Sequence, residues 1–189
     1  MTKVQTQTKE HSAKPREKGP EVNVMRRIRV GKVTLNIACG ESGEKLERAF
    51  QLAQRLTNMT PAKTLATRRA RTFRIRKGLP IGIKVTLRGK KAVEFFKKVI
   101  LAKENKINQR AFDNEGNFAF GIAEYLDIPG QKYDPVIGMF GMNIIVTLER
   151  PGFRVKRRKL MRSRIGTHHR IAKQESMEFA KRELGIIVE

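Results

Sequence analysis

Lys32-x-Thr34-x-Asn36 and Lys84-x-Thr86-x-Arg88 place cations and short hydrogen-bonding side chains at every second residue. On a β-strand that spacing puts all three side chains on one face. Such a row suits RNA, because cations meet phosphates while hydroxyls and amides reach sugar hydroxyls and base edges. A polar face on an open sheet can also be simply solvated. Two matched rows inside a chain of net charge +23 favour RNA contact. Arg68, Arg69 and Arg71 add cations in the Thr- and Arg-rich stretch Thr64–Phe73, and are candidates for the same contact. Directly after it, Arg74, Arg76 and Lys77 sit in a basic loop with Gly78 and Pro80 as its turn residues.

The charge is sorted along the chain. Of the 41 Lys and Arg, sixteen fall in residues 61–110 against two acids, and twelve fall in residues 150–182, again against two. Residues 111–149 reverse the balance, with Lys132 alone against six acids. A basic chain can serve nucleic acid, a membrane surface or an acidic protein. The density favours a polyanion, since each neutralised phosphate releases condensed counterions. The acidic stretch would repel phosphates and is read as a second face that meets a basic protein. Glu124, Asp127 and Asp134 would supply its charge, and Tyr133, Met139 and Phe140 its apolar contact area. Local charge balancing that keeps the basic faces soluble is the competing reading.

Catalytic and metal chemistry find no set of residues to carry them. Gly40-Glu-Ser-Gly43-Glu-Lys45 fails the phosphate-loop pattern, which needs four residues between the glycines and a Lys directly after the second. Asp113-Asn-Glu-Gly116 lacks the alternating ligands of a calcium loop and reads as a turn. His168 and His169 are adjacent, without Cys or carboxylates at ligand spacing, and are read as phosphate or base contacts. The single Cys39 excludes an intramolecular disulfide and a cysteine-built zinc site. No cofactor is expected. The longest apolar runs, such as Met142–Leu148, are of strand length and too short to span a bilayer. With no charged-then-apolar leader at its start, a cytoplasmic protein without membrane attachment is the expectation.

The elements that must position these residues follow from periodicity. Residues 1–24 are polar and aperiodic, and are read as a flexible basic arm; residues 25–189 suit a single domain. Val33, Leu35 and Ile37 alternate with the first polar row, giving a half-buried strand. Ser42 is the expected N-cap of a helix carrying Leu46, Ala49, Phe50, Ala53 and Leu56, with Glu44 and Glu47 in its first turn. Thr64–Phe73 reads as a strand, and Ile81–Leu87 as another. Ala92, Phe96, Val99 and Ile100 mark a second helix. Phe118–Ile122 and Ile144–Leu148 alternate as further strands, and a last helix over Lys173–Leu184 stops at Gly185. The fold class expected is α+β: a mixed, mostly antiparallel sheet with helices packed on one face and an open RNA-binding face. The basic run from Arg154 to Arg170 lies between predicted elements, so it is an internal segment held at both ends.

Five ordered motifs carry a resemblance. Val33–Gly43, Ile75–Gly89, Gly116–Ile122, Tyr133–Gly138 and Arg150–Phe153 together resemble the large-subunit ribosomal protein family that carries 5S ribosomal RNA, known as protein five in bacteria and protein eleven in eukaryotes. The stretch after Phe153, with His168-His169-Arg170-Ile171, is similar to the archaeal and eukaryotic branch. The resemblance covers roughly residues 23–189. Where the family usually has Gly-Gln, this chain has Asn58-Met59.

The resemblance implies a non-enzymatic constituent of the large ribosomal subunit that binds 5S rRNA and helps attach it in the central protuberance. It places the 5S-binding face on Asn36, Thr86 and Arg88, with Lys32, Thr34 and Lys84 beside them. It sets the loop Arg74–Pro80 near peptidyl-site tRNA. Part of the segment from Glu115 to Met142 would bridge to a protein of the small-subunit head. Large-subunit rRNA and neighbouring large-subunit proteins are the other partners it implies. A free assembly or regulatory factor of the same fold is the alternative within RNA binding. A small nucleotide-dependent enzyme is the alternative outside it, disfavoured by the failed phosphate loop.

Overall fold

The computed structural model describes residues 23–189. The expectation of an arm over residues 1–24 therefore falls almost wholly outside the described residues. At its boundary Asn23 caps a 3-10 turn, Val24–Arg26, by accepting the Met25 N–H at 2.9 Å.

Strand β1 (Arg29–Ala38) carries the strict alternation, and it sits in the middle of everything. On one side it pairs with β3 (Pro80–Leu87), on the other with β6 (Met142–Glu149), both antiparallel. Strand β2 (Ala62–Leu65) flanks β3, and β5 (Phe118–Ile122) flanks β6. The resulting five-stranded order is β2-β3-β1-β6-β5, antiparallel throughout. Parallel pairing occurs elsewhere: β4 (Lys106–Ile107) joins β7 (Ile187–Val188), tying the last residues to the segment after the second helix. The architecture is α+β, as the alternation implied.

Because side chains alternate across the pleat, one face of β1, β3 and β6 presents Val33, Leu35, Ile37, Val85, Ile144 and Val146, all buried. Helices α1 (Glu44–Thr57) and α2 (Lys90–Leu101) cover that face. Leu46, Ala49, Leu52 and Ala53 recur at helical spacing and form the buried stripe of α1. Phe96 of α2 meets Phe118 and Phe120 of β5 edge-on, with ring centroids 6.0 and 6.3 Å apart. Helix α4 (Lys173–Glu183) anchors through Ser176, whose hydroxyl donates to the Gly116 carbonyl at 3.0 Å. A four-residue helix, α3 (Arg154–Arg157), opens the basic segment.

Three expectations are corrected. Gly43, not Ser42, is the N-cap of α1, with a positive φ of 127° that favours glycine, and it makes no side-chain cap bond. The strand expected over Thr64–Phe73 ends at Leu65. The register slips between Thr64 and Leu65, after which the buried Ala66 bonds to Leu79 and Gly78 and the chain leaves the sheet edge. Pro80 opens β3 instead of serving as a turn residue, a place that its missing N–H tolerates. Asn58, where the resembled family usually has glycine, ends α1 in the left-handed region at φ 50°, which asparagine adopts more readily than other side chains.

Candidate nucleic-acid interface

The face of the sheet away from α1 and α2 collects the polar halves of the alternating strands. Register aligns them into cross-strand rows. Lys84, Asn36 and Asn143 form one row, with Gly121 of β5 at its end. Thr86, Thr34 and Ile145 form the next, and Lys32 pairs with Thr147 beyond them. Neighbouring strands lie about 4.8 Å apart, so the rows make a close grid of amides, hydroxyls and ammonium groups. None of the Lys32, Asn36, Lys84, Thr86, Asn143 or Thr147 side chains hydrogen-bonds another described residue. Arg88 follows β3 directly and is exposed.

The structure thus brings Lys32, Asn36, Lys84, Thr86 and Arg88 together as expected. Thr34 differs: it lies on the right face but is only 6% exposed, closed in by Thr86 and Ile145 on either side. It lines the floor of the grid instead of projecting from it. Asn143, Ile145 and Thr147 were missed by reading only the apolar half of β6. The same alternation that marked Ile144, Val146 and Leu148 as buried carried the signal for them.

Arg68, Arg69 and Arg71 do not lie on this face. They belong, with Arg74, Arg76 and Lys77, to one projecting loop between β2 and β3. Two nested turns build it. Ala70 and Ile75 exchange both backbone hydrogen bonds at 3.0 Å, and the Arg74 N–H closes the tip onto the Arg71 carbonyl. Behind the tip, Gly78 has a φ of 86°, and the Leu79 N–H returns to the Arg76 carbonyl at 3.2 Å. Arg71 and Arg74 flank Phe73 in this turn, and Phe73 stands 72% exposed at the tip. An aromatic ring among cations offers a stacking surface for a base or sugar, which the charge pattern alone did not signal.

The basic segment after β6 is pinned through two buried charged groups, Glu149 and Arg150. Gly31, at a bulge in β1, approaches so closely that a Cβ there would lie 2.5 Å from the Glu149 carboxyl carbon. In the space left, buried Glu149 accepts from Arg157 at 2.8 Å. Arg150, also buried, donates to Glu175 at 2.9 Å and to the Arg170 carbonyl at 3.2 Å. The ring of His169 meets the Pro151 carbonyl at 2.9 Å and packs edge-on against Phe153. His169 is thereby a structural group, while His168 remains exposed.

The acidic stretch is less uniform than its sequence. Asp134 binds Arg55 at 2.6 Å and accepts the Val136 N–H at 3.0 Å. The Arg55 hydrogen bond, then the backbone bonds, hold its carboxyl below the usual range against a small opposing cost of burial. Phe140 is buried and supports the loop from beneath, so it offers no contact area; its carbonyl accepts the Tyr125 N–H. Glu124, Asp127, Tyr133 and Met139 are exposed, and Val136 joins them. Burial raises the Cys39 thiol, against a smaller lowering by Lys45, which keeps it protonated and poorly nucleophilic. Among the described residues no group of three metal-ligating side chains forms, and no helix is long and apolar enough to cross a membrane.

Comparison with known proteins finds sequence relatives over most of the chain. A family model described as ribosomal protein L5 matches residues 23–76, and a second, for the C-terminus of the same ribosomal family, matches residues 80–179. The chain is 52% identical over 168 residues to the large ribosomal subunit protein uL5 of Sulfurisphaera tokodaii, covering 88% of this chain and 95% of that one. It is 53% identical over 163 residues to uL5 of Nanoarchaeum equitans, with 86% and 96% covered. Against uL5 of Archaeoglobus fulgidus the identity is 45% over 173 residues, with 92% and 96% covered.

Pinning of the basic segment by Glu149 has a direct test. Glu149→Gln removes the buried charge facing Arg157 and should cost about 1–3 kcal/mol in denaturant unfolding. The same variant should be cut faster by trypsin between Arg157 and Arg164. Unchanged cleavage in a folded variant would show that other contacts hold the segment.

Proposed function

This chain belongs to the ribosomal protein L5 family, and from that we infer that its open sheet face binds 5S rRNA. Members are structural constituents of the large ribosomal subunit, located with it in the cytoplasm, and are not enzymes. The observation that carries the proposal is the grid formed by Lys84, Asn36 and Asn143 with Thr86 and Lys32. It is polar, cationic and unpartnered among the described residues, on a face that α1 and α2 leave free. RNA supplies what each group lacks: phosphates for the ammonium groups, and sugar hydroxyls or base edges for the amides and hydroxyls. Ile145, at the centre, adds an apolar spot against which a sugar or base face can rest.

By the same reading the chain helps attach 5S rRNA in the central protuberance, alongside large-subunit rRNA and neighbouring proteins. The loop between β2 and β3 would reach peptidyl-site tRNA, with Phe73 at its tip and Arg74, Arg76 and Lys77 supplying charge. Of the acidic candidates, Glu124 and Asp127 with Tyr133 and Met139 would face a basic protein of the small-subunit head. Asp134 would serve that surface by shaping the loop through Arg55.

Asn36→Ala or Thr86→Ala should weaken 5S rRNA binding by about 1–3 kcal/mol in filter binding, with unfolding free energy nearly unchanged. Leu35→Ala, on the opposite side of the same strand, should instead lower stability by about 2–5 kcal/mol. Unaltered 5S affinity in folded Asn36 and Thr86 variants would remove the face from the binding site.

Replacing both Arg76 and Lys77 by Ala should spare 5S binding and incorporation into subunits, yet speed dissociation of peptidyl-site tRNA. Loss of 5S binding in that variant would move the loop to the 5S interface.

Reversing Glu124 and Asp127 to Lys should leave 5S binding intact while weakening subunit joining and changing its salt dependence. Normal joining across a range of salt would reduce the acidic loop to a solubility device.

A further inference from the structure

We propose that the hollow beneath the basic segment receives a single unstacked guanosine of an RNA chain, whose base edge is read by Glu115. The proposal rests on the reading of this chain as an RNA binder but concerns a separate site. Two contiguous hollows, of about 480 and 510 Å³, flank the segment and share Glu115, Phe153, Lys156 and Arg162. Each lies in the range of sites that enclose a small ligand. Phe153 and Ile165 supply apolar walls, with the fully buried Ile171 behind them. Arg162, Arg164 and Arg170 supply cations at the margin. Apolar walls with a cationic rim fit a nucleotide, whose base seeks a dry surface and whose phosphate seeks charge.

Glu115 is the group that makes the site selective. A surface built for phosphates alone gains nothing from a carboxylate, which repels them. The other acid lining these hollows, Glu149, is buried and committed to Arg157. Glu115 is different: it is well exposed, and it lies 3.5 Å from the Lys156 ammonium without a hydrogen bond to another described residue. Two acceptor oxygens therefore stand beside one donor. Guanine presents the complement along its Watson–Crick edge, with N1–H and the N2 amino group to the carboxylate and O6 to the ammonium. Adenine, cytosine and uracil each offer a single donor group on that edge, so one carboxylate oxygen would be left without a partner. The second hollow runs up to Lys32 and Thr147, so RNA crossing the open face reaches the site without a break.

The test uses the full chain and fluorescein-labelled heptauridylates carrying a central guanosine, adenosine, cytidine or inosine. By anisotropy, the guanosine oligomer should bind about tenfold more tightly than the adenosine or cytidine one, as expected for a bidentate base contact. Inosine, which lacks the N2 amino group, should lose most of that advantage. Glu115→Gln preserves size but replaces one acceptor by a donor, and should bring the bases to within about twofold of one another. Its 5S rRNA affinity should stay near that of the native chain. Equal binding of all four oligomers by the native chain, or a guanosine preference that survives Glu115→Gln, would overturn the proposal. GMP competing as effectively as the guanosine oligomer would overturn RNA as the source of the nucleotide. Because Asn36→Ala acts on 5S affinity and Glu115→Gln on base preference, failure of one reading leaves the other separately measurable.

Discussion

Everything in this molecule depends on β1 being hydrogen-bonded along both edges. Its register is set simultaneously by β3 and β6: Leu35 stands opposite Val85 on one side and Ile144 on the other. A slip of one residue would send Val33, Leu35 and Ile37 into water and push Lys32 and Asn36 against the helices. Burial of the apolar row therefore holds the polar row in place. The polar face needs no packing of its own, because the hydrophobic core on the far side aligns it.

That arrangement has an electrostatic cost, since a chain of net charge +23 repels itself when compact. The acids reduce the strain by where they sit. Glu149 holds Arg157 against the sheet, Glu175 meets the buried Arg150, and Asp134 meets Arg55. These pairs join different elements, Arg55 to Asp134 and Arg150 to Glu175 across long stretches of sequence and Glu149 of β6 to Arg157 of α3, so they act as clamps as well as counter-charges. One group is left over: Arg150 Nε is buried without a hydrogen-bond partner among the described residues, which marks the Arg150–Glu175 pair as imperfectly satisfied. Cations without a clamp project from the open face, the β2–β3 loop and the margin of the basic segment, and also from the outer side of α2, at Lys90, Lys91, Lys97 and Lys98.

The surface is thus divided by topology. The grid on the sheet, the hairpin tip at Phe73 and the loop bearing Glu124 and Asp127 arise from three different connections, and each is supported by its own backbone hydrogen bonds. Family membership accounts for the ribosomal role. The division leaves one small domain with three surfaces of different chemistry that do not overlap.

Much of this was legible without coordinates. Strict alternation in Val33–Ile37, Ile83–Leu87 and Ile144–Leu148, and helical spacing in Leu46–Ala53 and Ala92–Ile100, are local one-dimensional signals. They determined the strands, the helices, the α+β class and which side chains of β1 and β3 share a face. What failed was whatever depends on a distant neighbour. Thr64–Phe73 has strand-like composition, yet it leaves the sheet after Leu65 because Ala66 finds its partners at Gly78 and Leu79. The two-residue strands β4 and β7 are too short to carry a period and exist only because the chain's end returns to Lys106 and Ile107. Phe140 reads like an interface residue, and Asp134 like a free charge, until the fold buries the first and supplies Arg55 to the second. Periodicity is written residue by residue along the chain. Partnership is decided only when elements far apart in sequence are packed together, because burial and charge pairing belong to the place a residue comes to occupy.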